Sequence, residues 1–169
     1  MKNIEFKARC ADLQAVRNSL KELGVPLARR VRQVDTYFKV PSGRLKLREI
    51  DSGEAQLVQY DRPDESAARA CEYTVVPVKD AAGLKQALSL ALGVRVVVDK
   101  VRELYLWDHT RVHLDTVEDL GTFLELETVV TDQTLEDARS ECQRIKEALM
   151  IRAEDILPGS YADADLMQS

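Results

Sequence analysis

The chain has 169 residues, of which 45% are hydrophobic and 31% charged, and it carries a formal net charge of −5. That length suits a single domain over residues 1–169 with a core large enough to need no staples, and the composition is that of an ordinary globular protein. The acidic balance speaks against a general nucleic-acid binder, and no run approaches the roughly 18 apolar residues of a membrane span.

Taken in chain order, residues 2–10 alternate along a strand, with Asn3, Glu5, Lys7 and Arg9 opposite Ile4, Phe6, Ala8 and Cys10. This stretch has no apolar signal core, so a cytoplasmic location without membrane association is expected. A helix follows from Asp12 to Leu23, with Leu13, Val16, Leu20 and Leu23 on one stripe and Gly24 at its stop. Arg29, Arg30 and Arg32 form a basic run that reads as a solvated face. Strands are predicted over about 32–40, 44–50 and 55–62, punctuated by Pro41-Ser42-Gly43, Asp51-Ser52-Gly53 and Asp61-Arg62-Pro63-Asp64. A polar loop from Pro63 to Ala70 leads to a further strand over 71–78. The second helix starts at Asp80 as N-cap, carries Leu84, Leu88 and Leu92, and stops at Gly93.

Three more strands are predicted over 94–107, 110–116 and 122–130. The third helix starts near 132–134, with Leu135, Ala138, Cys142, Ile145 and Leu149 at helical spacing. All three helical stripes read as packing faces. Cys10, Cys71 and Cys142 make no CxxC pair, and His109 and His113 lie near none of them, which favours buried thiols over zinc or disulfides. The acidic C-terminal stretch (Glu154, Asp155, Asp163, Asp165) reads as a lid or a loose tail, and Tyr161 as a residue packing across a barrel mouth. The pattern is α+β with a largely antiparallel sheet.

The polar faces of the strands are not ordinary. Arg44, Lys46 and Arg48 share one face, as do Lys100 and Arg102, then Arg111, His113 and Asp115, then Glu125 and Glu127. On an open surface such faces would be merely solvated. Across five strands, however, bases and acids segregate, which points to faces converging on one interior. Buried charges cost several kcal/mol each unless paired or liganded. A metal-bound polyphosphate suits such a lining, because lysines and arginines meet phosphate oxygens while carboxylates hold the cation. About eight strands close into a barrel with room for one small ligand. The expected fold is therefore a closed eight-stranded antiparallel β-barrel with surrounding helices.

Several segments also resemble one known family. Asn3-Ile4-Glu5-Phe6-Lys7 resembles the ExExK signature of the CYTH superfamily, the triphosphate tunnel metalloenzymes, which includes class IV adenylate cyclases, thiamine triphosphatases and inorganic triphosphatases. Asp35-Thr36-Tyr37-Phe38, Leu45-Lys46-Leu47-Arg48, Tyr60-Asp61-Arg62-Pro63, Lys100-Val101-Arg102 and His113-Leu114-Asp115 with Leu120 to Glu127 resemble its later motifs in order and spacing. The resemblance implies a tunnel requiring Mg²⁺ or Mn²⁺, with a triphosphate such as ATP or tripolyphosphate as small-molecule partner. It implies Glu5, Glu72, Asp115, Glu125 and Glu127 as metal ligands, and Lys7, Lys46, Arg48, Arg62, Lys100 and Arg102 as triphosphate ligands. Arg44 and Arg111, on the same basic faces, join the candidate substrate-binding set, and Glu5, Lys7 and Glu125 are the candidate catalytic residues.

One position departs from the pattern. Asn3 stands where the family's first glutamate would be, so Glu127 is expected to make up the lost charge, leaving one firm metal site and a looser second. Two chemistries remain open: cyclisation by a ribose hydroxyl, to which the motif pattern is slightly closer, and hydrolysis by water. The alternative to an enzyme is a non-catalytic polyphosphate- or nucleotide-binding module. A monomer and a homodimer are both compatible with the sequence. His113 reads more readily as a hydrogen-bonded structural histidine than as a base, and His109 as a solvated turn residue. Trp107 and Tyr105 read as outer packing, and Arg44 and Arg9 equally as rim charges.

Overall fold

The computed structural model describes residues 2–61 and 69–157. Its elements run β1 (Lys2–Arg9), α1 (Leu13–Glu22), β2 (Leu27–Phe38), β3 (Arg44–Ile50), β4 (Ala55–Asp61), β5 (Arg69–Pro77), α2 (Ala81–Leu92), β6 (Val94–Trp107), β7 (Thr110–Val117), β8 (Gly121–Val129) and α3 (Leu135–Ala148). A 3-10 turn (Ala153–Asp155) and a short β9 (Ile156–Leu157) follow. No helix among the described residues is long and apolar enough to cross a membrane.

Hydrogen-bonded neighbours run β5-β4-β3-β2-β6-β7-β8-β1, and β5 pairs back onto β1, so eight antiparallel strands close into a barrel. The architecture is the expected α+β barrel with helices outside. One edge of β1 pairs with β8 from Asn3 to Arg9. Its other edge is shared: β5 takes Lys2 to Glu5, and β9 takes Lys7 and Ala8.

Closure explains why β1 is buried on both faces. Ile4, Phe6 and Ala8 point outward into a core with Leu13, Val16 and Leu20 of α1, Val112 and Leu114 of β7, Leu124 and Leu126 of β8, and Ala138, Cys142 and Ile145 of α3. Inside, Tyr37, Val58, Tyr60, Val98, Val117 and Phe123 form a second apolar cluster. Antiparallel pairing brings these residues together, with Tyr37 and Val117 near strand ends and Val58 at the middle of β4.

The helix starts follow from local chemistry. The side chains of Asp12 and Asp80 accept the backbone N–H groups of Ala15 and Gly83, each at 2.9 Å. Thr134 and Asp137 form a reciprocal capping box. Three features differ from the sequence reading. β2 starts at Leu27 rather than near 32, and β9 is additional. α2 buries none of its side chains, so its leucine stripe is only half covered and Leu90 stands 81% exposed.

Tyr105 is buried in the outer core, with Trp107 packed against it, as expected. Cys10 and Cys142 are free thiols; burial pushes Cys142 up to about 11. Arg62, Pro63, Tyr161, Asp163 and Asp165 lie outside the described residues.

Candidate functional site

The inner faces of the strands enclose a cavity of about 340 Å³, within the range of small-molecule sites. β1 contributes Asn3, Glu5 and Lys7; β2 Arg29, Val31, Gln33 and Tyr37; β3 Lys46, Arg48 and Ile50; β6 Lys100, Arg102 and Leu104; β7 Arg111 and His113; and β8 Glu125 and Glu127. Glu54, Gln56, Val58, Tyr60, Tyr73 and Val75 complete the wall. The seven bases in that lining outnumber its four carboxylates, so the cavity is built for an anion.

Two further carboxylates stand behind the wall as counterions. Arg48 donates to both oxygens of Asp35, at 2.7 and 2.8 Å, and Lys46 donates to the same group at 2.8 Å. Arg102 donates to both oxygens of Asp115, at 2.7 and 2.6 Å. Lys100 sits between the two, 3.9 Å from Asp35 and 3.7 Å from Asp115. Asp35 and Asp115 are 1% and 0% exposed. Burial pushes both carboxyls up, but the adjoining cations (Arg48 and Lys46 for Asp35, Arg102 and Lys100 for Asp115) overcome it and hold both below the ordinary range. Burial, reinforced by Arg102, drives Lys100 well below the usual lysine value.

Glu125 is the junction of the acidic side. Lys7 lies 2.6 Å from one of its oxygens, and Arg102 and His113 each lie 3.2 Å from the other. Burial again opposes ionisation, and Lys7 and Arg102 outweigh it, so Glu125 stays well below the ordinary glutamate range. Burial and then Arg102 lower His113, which favours the neutral ring. Arg111 donates to Glu127 at 3.3 Å. Lys46 also donates to the Tyr37 hydroxyl at 3.3 Å, and burial beside Asp35 raises that phenol.

Of the residues singled out from sequence, Glu5, Lys7, Lys46, Arg48, Lys100, Arg102, Arg111, Glu125 and Glu127 face one enclosed space. Glu72 does not join them. Its neighbour Tyr73 and Val75 point inward, so strand parity sends Glu72 outward, where its side chain is 76% exposed and lies 3.3 Å from Lys2. Asp115 is a counterion to Arg102 and Lys100 rather than a lining group. Arg44, opposite Tyr60 at the start of β3, is not part of the wall.

The sequence reading assigned no site role to Asp35, Gln33 or Arg29, although Asp35 stands in the Asp35-Thr36-Tyr37-Phe38 motif. Arg29 is exposed, as expected, with 44% of its side chain accessible, but the earlier start of β2 puts 29, 31, 33, 35 and 37 on one face, so it also lines the cavity and donates a hydrogen bond of 3.1 Å to Ser52. The alternation was present in the sequence, obscured by Arg30 and Arg32, whose partners Glu103 and Asp99 lie on β6.

Among the described residues, no three acidic, histidine or cysteine side chains are gathered closely enough to cage a metal ion by themselves. Glu5 and Glu127 are nevertheless directly opposite on paired strands and line the same cavity. Two carboxylates completed by phosphate oxygens and water are an ordinary way to hold Mg²⁺, so the donor set fits a cation that arrives with its ligand.

Comparison with known proteins agrees with this architecture. The chain is 29% identical to the Methanocaldococcus jannaschii protein named "Putative adenylate cyclase MJ0240", over 96% of this chain and 98% of that protein. The PH1012 protein of Pyrococcus horikoshii OT3 superposes with a TM-score of 0.86 at 24% identity, covering 95% of this chain and 97% of that one. HpAC1 of Hippeastrum, described as a putative adenylyl cyclase with a dominant triphosphatase activity, superposes at 0.64 with 16% identity over 98% and 95% of the two chains. The CYTH domain profile matches residues 1–161, and the chain therefore belongs to the CYTH domain family.

Proposed function

We propose that the barrel binds a triphosphate together with Mg²⁺ or Mn²⁺ and cleaves it, acting either as a cyclase or as a triphosphatase. The observation that carries this reading is the convergence of Lys7, Lys46, Arg48, Lys100, Arg102 and Arg111 with Glu5, Glu125 and Glu127 on one enclosed cavity. Membership of the CYTH family supports it, as do the cyclase name of the Methanocaldococcus relative and the triphosphatase activity of HpAC1.

Phosphoryl transfer needs charge neutralisation and alignment more than covalent help. Lys46, Arg48, Lys100 and Arg102 would fix the phosphate oxygens and stabilise charge on the leaving group; their positions are already set by Asp35 and Asp115. Glu5 and Glu127 would hold the cation, with Glu125 joining once Lys7 turns to phosphate. Asn3 lines the cavity without adding charge. A bound Mg²⁺ or Mn²⁺ would polarise the attacked phosphorus and acidify the attacking water or hydroxyl. Arg62 remains a candidate phosphate ligand.

The deciding experiment offers ATP, tripolyphosphate and thiamine triphosphate with each metal and reads phosphate, pyrophosphate and cyclic AMP. Metal-dependent release of any of these products is expected. Tight, metal-independent binding without turnover would replace the enzyme with a binding module.

A further inference from the structure

We infer that the charged cavity is blind at one end, so that it selects phosphate chains with a free terminal phosphate and takes them in end first. This rests on the triphosphate reading above and goes further by naming a feature the substrate must carry. On β2, β6, β7 and β8, which are consecutive neighbours, a charged residue of the inner face is followed two positions on by an apolar one. Asp35 is followed by Tyr37, Lys100 by Val98, Asp115 by Val117 and Glu125 by Phe123. The step runs forward on β2 and β7 and backward on β6 and β8, and antiparallel pairing makes that the same direction along the barrel. On β4, Val58 and Tyr60, opposite Lys46 and Arg44 of β3, join the same packed cluster.

This cluster is the floor of the cavity. Tyr37, Val58 and Tyr60 belong both to it and to the cavity wall. Val98, Val117 and Phe123 lie behind them, 4%, 3% and 1% exposed, and line no part of the cavity. Leu120 and Leu157 also pack against the cluster. Arg9 and Arg44, the next inner-face positions after Lys7 and Lys46, are not part of the cavity wall, and the Arg9 guanidinium lies 5.7 Å from the Phe123 ring centroid. A packed apolar layer has no passage wide enough for water, and an ionised phosphate does not cross one. A chain with an unesterified last phosphate can end against this floor. There Lys46, 5.3 and 5.8 Å from the Tyr37 and Tyr60 ring centroids, would receive it. An alkyl group on that phosphate would run into the packed side chains, so a chain esterified at both ends has no end to insert.

Isothermal titration of the full chain, with Mg²⁺ present, against tripolyphosphate and its linear alkyl esters tests the floor. Within each pair of esters the charge is the same and only the length of the cap differs. The monomethyl and monobutyl esters keep one free end, which enters while the cap stays at the mouth, so their affinities should agree within about threefold. The dimethyl and dibutyl esters keep none, and the dibutyl ester should bind at least about tenfold more weakly than the dimethyl, because its longer cap meets the floor. Equal affinity of the dimethyl and dibutyl esters would overturn the blind floor and leave the triphosphate reading standing. A butyl penalty as large in the monoesters as in the diesters would place the obstruction at the mouth and overturn it equally. No binding of tripolyphosphate itself would overturn both.

Discussion

Asp35 on β2 receives both donors of the Arg48 fork on β3 at 2.7 and 2.8 Å while also lying 2.8 Å from Lys46. One buried carboxylate thus holds two lysine or arginine side chains of the cavity wall at fixed spacing, with Lys100 close by. Asp35→Asn leaves these cations without their counterion. Removing one partner of a buried pair costs about 3–5 kcal/mol, so the free protein should melt markedly lower. Tripolyphosphate should raise the melting temperature of the variant more than that of the parent, because it replaces the missing negative charge. An unchanged melting temperature would show that Asp35 is not a required counterion.

Stability should fall on acidification in two stages. Asp35, Asp115 and Glu125 are held below their ordinary values of 3.8, 3.8 and 4.5. Their contribution is complete above those values and is lost as pH falls from about 4.5 towards the lowered folded-state values. His113, lowered from 6.5, resists protonation in the folded state, so it begins to cost stability as pH drops below 6.5. Urea midpoints of the metal-free protein should decline slightly from pH 7 to 5.5 and steeply below 4.5. A flat profile down to pH 4 contradicts the ionised network.

Lys46→Ala and Glu125→Gln should each reduce turnover by at least about 100-fold with the barrel intact, as losses of transition-state electrostatics do. Near-parental rates in both would remove the site assignment. Glu72→Ala is the matching control, since its side chain is on the outer surface, and its rate should stay within about twofold of the parent.

Glu5→Gln and Glu127→Gln should each weaken the Mg²⁺ dependence of tripolyphosphate binding more than the binding measured without metal. On the proposed reading these two register partners hold one cation between them, so the double variant should lose little more than either single one. Fully additive effects would mean two separate metal positions.

The barrel was readable because its strands break the usual rule of one apolar and one replaceable face. In β1, Ile4, Phe6 and Ala8 fill the outer core while Asn3 and Lys7 are buried on the other side. Helix starts were readable from Asp12, Asp80 and Thr134, whose side chains cap locally. Glu72 was misplaced because a motif match fixes neighbourhood but not parity, and one position along a strand exchanges inside for outside. The counterion role of Asp35 was not legible for a different reason, although its motif was. On β2 it looks like any polar strand residue, and only pairing with β3 brings Lys46 and Arg48 to it. The Gln33 carbonyl oxygen, buried without a hydrogen-bond partner, is likewise a property of the enclosed space, with no local pattern to announce it.

The divided edge of β1 also sets the order in which the molecule can be finished. β1 precedes all three of its sheet neighbours, β5, β8 and β9, along the chain, so it has none of them until they have been made. Lys7 therefore waits for Glu125, more than 100 positions downstream, before its charge is matched. Pairings between such distant segments are slow to form, because a long stretch of chain must be ordered before they contribute anything. The enclosed interior exists only when β1 is paired with both β5 and β8, so a nascent chain stalled before β8 would carry the basic strands β2, β3 and β6 without a closed chamber around them.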